Sequence, residues 1–213
     1  MKNLLLNSFS RYLRSLLFSR SFTIFILSVL FTQIAFNMMY AGFIFRVFSL
    51  TSSSFSVSML ILIILLPQVL FSFIGGIVAD LQNKKHILIA GNILRALVIF
   101  PLLGSGESIV IVYLVALIVS VFTQFYVPAE APLIPYLVDK KNLLVANSVF
   151  GICLFGSTLI GYVLAGPVIQ IFSHAGLFIV IMVLYTLAAV LAAFIPDKSG
   201  GVAIHNYSPQ LVR

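Results

Sequence analysis

The sequence predicts an all-α membrane protein with six transmembrane helices, arranged as two inverted three-helix repeats with both termini cytoplasmic. Three observations predict it: charge is scarce, the charge-free runs have the length of membrane spans, and the positive charges fall almost entirely on one side. Only 8% of the 213 residues are charged and 62% are hydrophobic. The mean hydropathy is +1.20. A soluble domain carries about 25% charged residues, so this chain could not cover a water-facing surface. One cysteine excludes a disulfide scaffold, and the hydrophobicity excludes a disordered chain. The net charge of +7 does not indicate nucleic acid, because the twelve Lys and Arg are too few and too regularly placed.

Residues 21–45, 47–79, 108–129 and 142–196 contain no Asp, Glu, Lys or Arg. A spanning helix needs about 20 apolar residues, so the first run holds one helix. The second, trimmed of its Ser-rich start at Thr51 to Ser54, holds another at about 56–79. Between Lys85 and Glu107 an apolar segment interrupted only by Arg95 is the third, about 86–104. The run 108–129 is the fourth. The last run breaks at Ser173-His174-Ala175-Gly176 and yields a fifth helix at about 144–170 and a sixth at about 176–196. Uniformly apolar segments of this length are helices rather than barrel strands.

Ten of the twelve basic residues lie in the N-terminal tail, the second and fourth loops and the C-terminal tail. Arg46 alone lies on the opposite side, and Arg95 is inside a helix. The side with ten is cytoplasmic by the positive-inside rule. Residues 1–20 read as a cytoplasmic amphipathic segment, with Leu5, Phe9, Tyr12, Leu13 and Leu16 on one face and Asn7, Arg11 and Arg14 on the other. Residues 21–197 form the six-helix bundle, and 198–213 a polar cytoplasmic tail. The helix starts near 22, 56 and 87 recur near 109, 144 and 176, at offsets of 87, 88 and 89. Three is odd, so equivalent helices run in opposite directions, as in the inverted repeats of secondary transporters.

The loop between the second and third helices carries Gly75, Gly76, Ala79, Asp80, Asn83, Lys84 and Lys85. The small residues let another helix approach closely, and Asn83 is suited to the positive φ of a sharp turn. Asp80 sits at a helix C-terminus, where the dipole disfavours an anion unless a cation or another helix N-terminus compensates. An ordinary hairpin with positive-inside lysines is the plainer alternative.

Gly76-x-x-x-Asp80-x-x-Asn83-Lys84-Lys85 resembles the loop motif of the major facilitator superfamily, with Leu81 where that family has Arg and Asn83 where it has Gly. The resemblance implies that Gly76, Asp80, Asn83, Lys84 and Lys85 form a gating loop whose Asp meets a helix N-terminus of a second half. A second stretch, from Gln124-Phe125-Tyr126-Val127-Pro128-Ala129 through Ile134-Pro135-Tyr136 to Ala146-Asn147-Ser148, is similar to the macrolide and siderophore exporters. The likeness covers about residues 15–198 and matches the N-terminal half of a twelve-helix transporter.

On the fifth predicted helix, Cys153, Ser157, Gly161 and Ala165 recur every four residues and line one packing face. Gly161-x-x-x-x-Gly166-Pro167 is similar to an antiporter motif of the same family, and generic helix packing explains it equally well. Arg95 costs about 2.5–3.5 kcal/mol at a helix centre, so it should face protein or water. It meets an anionic substrate or an acid from elsewhere, or backbone carbonyls solvate it. Within the helix cores no acid stands ready to pair with it, since Glu130 falls at the cytoplasmic end of the fourth helix and Glu107 on an outer loop. Gln33, Asn37 and Tyr40 share a face of the first helix, and Tyr113, Ser120 and Gln124 a face of the fourth. In the resembled family these two helices line the cavity, so these residues with Arg95 are the substrate-contact candidates; interhelical hydrogen bonding is the alternative.

No Walker A loop and no Cys or His cluster with metal spacing occurs, so neither an enzyme nor a metal or other cofactor is expected. The expected function is proton-coupled efflux of small amphipathic compounds across the cell membrane, the coupling being implied by the resemblance. A non-transporting subunit or degenerate half-transporter that regulates a partner is the alternative. The expected partners are the lipid bilayer, a small-molecule substrate and a second six-helix half. With one half alone the chain should not transport as a monomer: it should pair with another chain or a copy of itself, or be a truncated product.

Overall fold

A computed structural model describes residues 19–104 and 108–197. The amphipathic segment predicted before Arg20, the loop acid Glu107 and the polar tail 198–213 lie outside the described residues. Among the described residues every regular element is helical: α1 (Arg20–Thr51), α2 (Ser54–Leu81), α3 (Lys84–Ile99), α4 (Ile109–Glu130) and α5 (Leu143–Ala193). A 3-10 turn, Phe100–Leu103, prolongs α3. Between α4 and α5 lies a one-turn helix, Ile134–Leu137, flanked by 3-10 turns. Five stretches are long and apolar enough to cross a membrane: Arg20–Thr51, Ser54–Leu81, Lys84–Leu103, Ile109–Leu137 and Lys140–Ala193.

The last stretch is not one straight rod. Ser173 has φ 66 and ψ 178, a non-helical conformation that breaks the hydrogen-bond ladder. Contacts with α1 give the direction of each arm. Before the break, Cys153 lies against Ile26 and Gly161 against Asn37, so the first arm (143–172) rises alongside α1 in the same sense. After it, Phe178 packs near Phe43, Tyr185 reaches Met39 and Ser28 reaches Ala188, so the second arm (174–193) runs back in the opposite sense. The chain reverses at Ser173.

The tight connections have specific chemistry. At the end of α1, Ser52 takes the left-handed conformation, φ 48, and Ser53 caps α2 by accepting from Ser56 N. The expectation of a positive φ at Asn83 is corrected: its φ is −67, and it serves as the N-cap of α3. Its side-chain oxygen accepts from Lys85 N at 3.0 Å, while its amide donates to Asp197 at 2.8 Å. An extended backbone suits that role, since an N-cap residue sits in the β region with its side chain folded over the first turn.

Packing divides the bundle into two apolar clusters. One, at the end opposite the Lys84–Lys85 loop, includes Met38, Phe43, Leu60, Ile99, Val115, Leu177 and Tyr185. The other, nearer that loop, includes Phe22, Phe25, Leu88, Tyr126, Leu133 and Phe150. Gly75 of α2 lies so close to α4 that a Cβ would collide with the Gln124 carbonyl, whereas Gly76 has open space beside it. Large apolar side chains cover the outside of α2, among them Leu62, Leu66, Val69 and Phe73. In water such a face would aggregate; against lipid tails it is matched to its solvent.

Candidate functional site

Between the two apolar clusters lies a layer of buried polar groups. α1 supplies Thr32 and Gln33, α3 supplies Asn92 and Arg95, and α4 supplies Thr123, Tyr126 and Glu130. Each helix presents its groups at helical spacing, so they converge on one level of the bundle. Arg95 is 1% exposed, Glu130 2% and Asn92 0%.

Gln33 donates Nε2 to both carboxylate oxygens of Glu130, at 3.3 and 3.1 Å. The Arg95 guanidinium carbon stands 4.2 Å from the centroid of the Tyr126 ring and 5.8 Å from that of Tyr185. Tyr126 belongs to one apolar cluster and Tyr185 to the other, so the cation is held between the faces of two aromatic rings at the junction. A desolvated cation–π contact contributes about 2 kcal/mol, which offsets much of the cost of placing Arg at this depth. Only Nη2 of Arg95 has a hydrogen-bond acceptor, Thr123 Oγ1 at 3.3 Å; Nε and Nη1 have none. Tyr126 in turn donates to Thr32 Oγ1 at 3.2 Å, and Thr32 donates to Asn92 at 3.1 Å. A cavity of ≈ 10 Å³, about the room one water occupies, is lined by Thr32, Gln33, Phe36, Arg95, Thr123, Tyr126 and Val127.

The expectation places Glu130 at the end of its helix with no acid in the helix cores to pair with Arg95; among the described residues no ion pair to Arg95 forms, but Glu130 is buried. It closes α4, and its carboxylate is met by Gln33 from α1. Arg95 acts on Glu130 through space rather than by a direct ion pair.

Of the other predicted residues, Tyr40 and Ser120 are brought together by a side-chain hydrogen bond between α1 and α4, and the rest separate. Asn37 is buried but turns back on its own helix, donating to the Gln33 carbonyl at 2.7 Å. Tyr40 packs against Phe36, ring centroids 4.5 Å apart with the planes tilted by 51°. Ser120 is buried, and its carbonyl accepts from Gln124 Nε2 at 3.2 Å. Tyr113 donates to the Ser56 carbonyl at 2.9 Å and so ties α4 to the start of α2, away from the polar layer. Of the predicted loop, Asp80 is exposed in the last turn of α2, Gly76 meets no neighbour, and Lys84 and Lys85 open α3. On α5, Ser157 donates to the Cys153 carbonyl, a Cβ at Gly161 would stand 2.6 Å from Asn37 Cβ, and Ala165 is fully buried. Gly166 lines a separate cavity, and Pro167 is exposed.

Sequence reasoning missed Thr32, Asn92, Thr123, Tyr126 and Glu130. A signal was present: Thr123, Tyr126 and Glu130 recur at three and four residues and share one face of α4 with Val119, as Asn92 shares a face of α3 with Arg95.

Among the described residues no group of three or more His, Cys, Asp or Glu could hold a metal ion. The arrangement holds one buried cation and one buried carboxylate in an apolar bundle, bridged by neutral donors. Such groups mark ion and substrate pathways in membrane proteins.

Comparison with known proteins agrees with this setting. A family model described as Major Facilitator Superfamily matches residues 15–205. The chain is 27% identical over 149 residues to the uncharacterized MFS-type transporter YfiS of Bacillus subtilis; the match covers 70% of this chain and 36% of that protein. The matched stretch thus spans little more than a third of that relative's length. No solved structure matches it at a significant level. With nearly its whole length matched, a bundle of apolar helices and a buried charged layer, the chain belongs to the Major Facilitator Superfamily, a family of membrane transporters.

Proposed function

We propose that the chain is one half of a secondary active exporter of small amphipathic compounds, related to the macrolide and siderophore exporters and driven by proton exchange. The observation that carries this reading is the buried layer in which Gln33 holds Glu130 and two tyrosine rings hold Arg95. A structural bundle gains nothing from burying these charges, since apolar side chains would pack there at lower cost. A transporter uses them: Arg95 is a cation for an anionic group, and Glu130 is an acid that a coupling proton can occupy.

The membrane arrangement in this reading has six crossings, inverted repeats and both termini in the cytoplasm of a cell-membrane protein. The reversal at Ser173 supports six, because the thirty residues of the first arm reach about 45 Å at about 1.5 Å per residue, enough to cross a bilayer. Two close glycine contacts support the repeats. Gly75 of α2 packs on the Gln124 carbonyl of α4, and Gly161 of α5 packs beside Asn37 of α1. Gln124 and Asn37 are 87 residues apart, the spacing between equivalent helices. A second six-helix half, from another chain or a copy of this one, completes the transport site between the halves.

The test is reconstitution into vesicles with a pH-sensitive dye inside, with and without a complementary half. Proton movement that depends on an added amphipathic compound is expected when both halves are present. No such movement with both halves present would favour a non-transporting subunit.

A further inference from the structure

The polar layer contains donors that no protein group answers. Arg95 is 1% exposed, and neither its Nε nor its Nη1 has a hydrogen-bond partner. A buried charged donor left in that state is costlier than a neutral one, and folded proteins answer such groups either with a side chain or with an ordered water.

The small cavity beside Arg95, ≈ 10 Å³, has the size for one water. Size alone does not wet a cavity, since a buried water also needs about two to four polar partners. The lining supplies them: five of its seven side chains are polar, with Arg95 as donor and the oxygens of Thr32, Gln33, Thr123 and Tyr126 around the same space. The other two, Phe36 and Val127, form an apolar wall. Val127 is 52% exposed on the outside of α4, and Phe36 is half-buried on α1. Two apolar side chains thus separate this cavity from the outer face of the α1–α4 pair. Tyr185, whose ring also faces Arg95, is fully buried and does not line it.

We propose that this cavity binds one ordered water, which accepts from Arg95 and donates to the side-chain oxygen of Gln33. The nitrogen of the same amide holds Glu130, so the water joins the cation to the carboxylate's own donor without a direct ion pair. A water bridge of this kind is nearly as good as a direct hydrogen bond. Binding follows from the layer alone. A further role rests on the exporter reading: the water is where a coupling proton enters, admitted between Phe36 and Val127. The proton arrives as hydronium and passes to a Glu130 oxygen, leaving a neutral water and a protonated carboxyl group.

The test uses the whole chain in phosphatidylcholine nanodiscs and short X-ray pulses, which split bound water into hydroxyl radicals that hydroxylate the nearest aromatic ring. Mass spectrometry is expected to find a product at Tyr126 and none above background at Tyr185, although both rings are buried against Arg95. Arg95→Met should abolish the Tyr126 product, and Arg95→Lys, which keeps a charged donor, should retain it. After a switch to heavy-oxygen water the Tyr126 product should gain the heavy isotope. Val127→Ala should speed that uptake severalfold, and Val183→Ala, exposed on the second arm of α5, should leave it unchanged. If Arg95→Met does not fold, the contrast between the two tyrosines in the unaltered chain decides the matter. Equal labelling of Tyr126 and Tyr185, a product that persists in folded Arg95→Met, or uptake indifferent to Val127→Ala would overturn the proposal. None of these measurements reads transport, so their failure leaves the vesicle test of the exporter reading untouched.

Discussion

Gln33 and Glu130, 97 residues apart in sequence, are joined by hydrogen bonds from one amide nitrogen to both oxygens of one carboxylate, at 3.3 and 3.1 Å. The contact fastens the middle of α1 to the end of α4, the two helices that lead the two proposed repeats. It also explains how a carboxylate that is 2% exposed is tolerated in an apolar bundle. A neutral donor meets both oxygens, and a cation, Arg95, acts from nearby.

Gln33→Leu is expected to leave the Glu130 carboxylate without its donor and to destabilise the bundle by about 1.5–3 kcal/mol. Gln33→Leu combined with Glu130→Leu should cost less than the sum of the single changes, because the two groups share one interaction. Unfolding of the purified chain in mild detergent, followed by circular dichroism, measures both. Additive effects would show that the contact contributes nothing.

Arg95→Lys keeps the charge but loses the planar guanidinium between Tyr126 and Tyr185. A loss of about 1–2 kcal/mol is expected, with Tyr126→Leu in the same range. The same unfolding assay checks it, and an Arg95→Lys variant as stable as the parent would count against a stacking role.

Gly75 and Gly161 are expected to resist enlargement. Gly161→Val should cost about 1–3 kcal/mol by pushing the first arm of α5 off α1, and Gly75→Val should do the same between α2 and α4. Gly76→Ala and Gly151→Ala meet open space and should be neutral. Melting temperatures of the four variants separate these outcomes; equal effects at Gly75 and Gly76 would contradict the packing.

Ser173 holds φ 66 and ψ 178, a region that only glycine occupies without strain of about 1–3 kcal/mol. Ser173→Gly is expected to stabilise the chain by up to about 1 kcal/mol, and Ser173→Val to destabilise it. Thermal unfolding in detergent tests the sign, and a destabilised Ser173→Gly would argue against a strained reversal.

Reporters placed after Gly104 and in the Lys140–Lys141 loop test the membrane topology. The first is expected outside and the second in the cytoplasm, as the distribution of lysine and arginine requires. A cytoplasmic signal after Gly104 would sink the six-crossing arrangement.

The helices, and the break within the last of them, were legible in the chain itself because each depends on residues close in sequence. A run of apolar residues must satisfy its backbone internally wherever it lies in lipid, so the charge-free runs mark spans without knowledge of neighbours. Arg95 could be singled out for the same local reason: a charge inside such a run is costly whatever surrounds it. What answers that charge was not legible. Glu130 stands at the end of its own helix and reads as an interfacial acid; only the docking of α1, which brings Gln33 to its carboxylate, shows it as a buried, partnered group. Asn83 reads as a turn residue, and its bond to Asp197 depends on where the chain leaves α5, 114 residues later. Gly75 and Gly76 are indistinguishable as neighbours in sequence, yet one touches the α4 backbone and the other faces open space, because successive residues point about 100° apart on a helix and only the docking of α4 selects between them. Hydropathy is a property of a segment, whereas the pairing of buried polar groups is a property of the surface that each segment meets, and that surface exists only after the helices have packed.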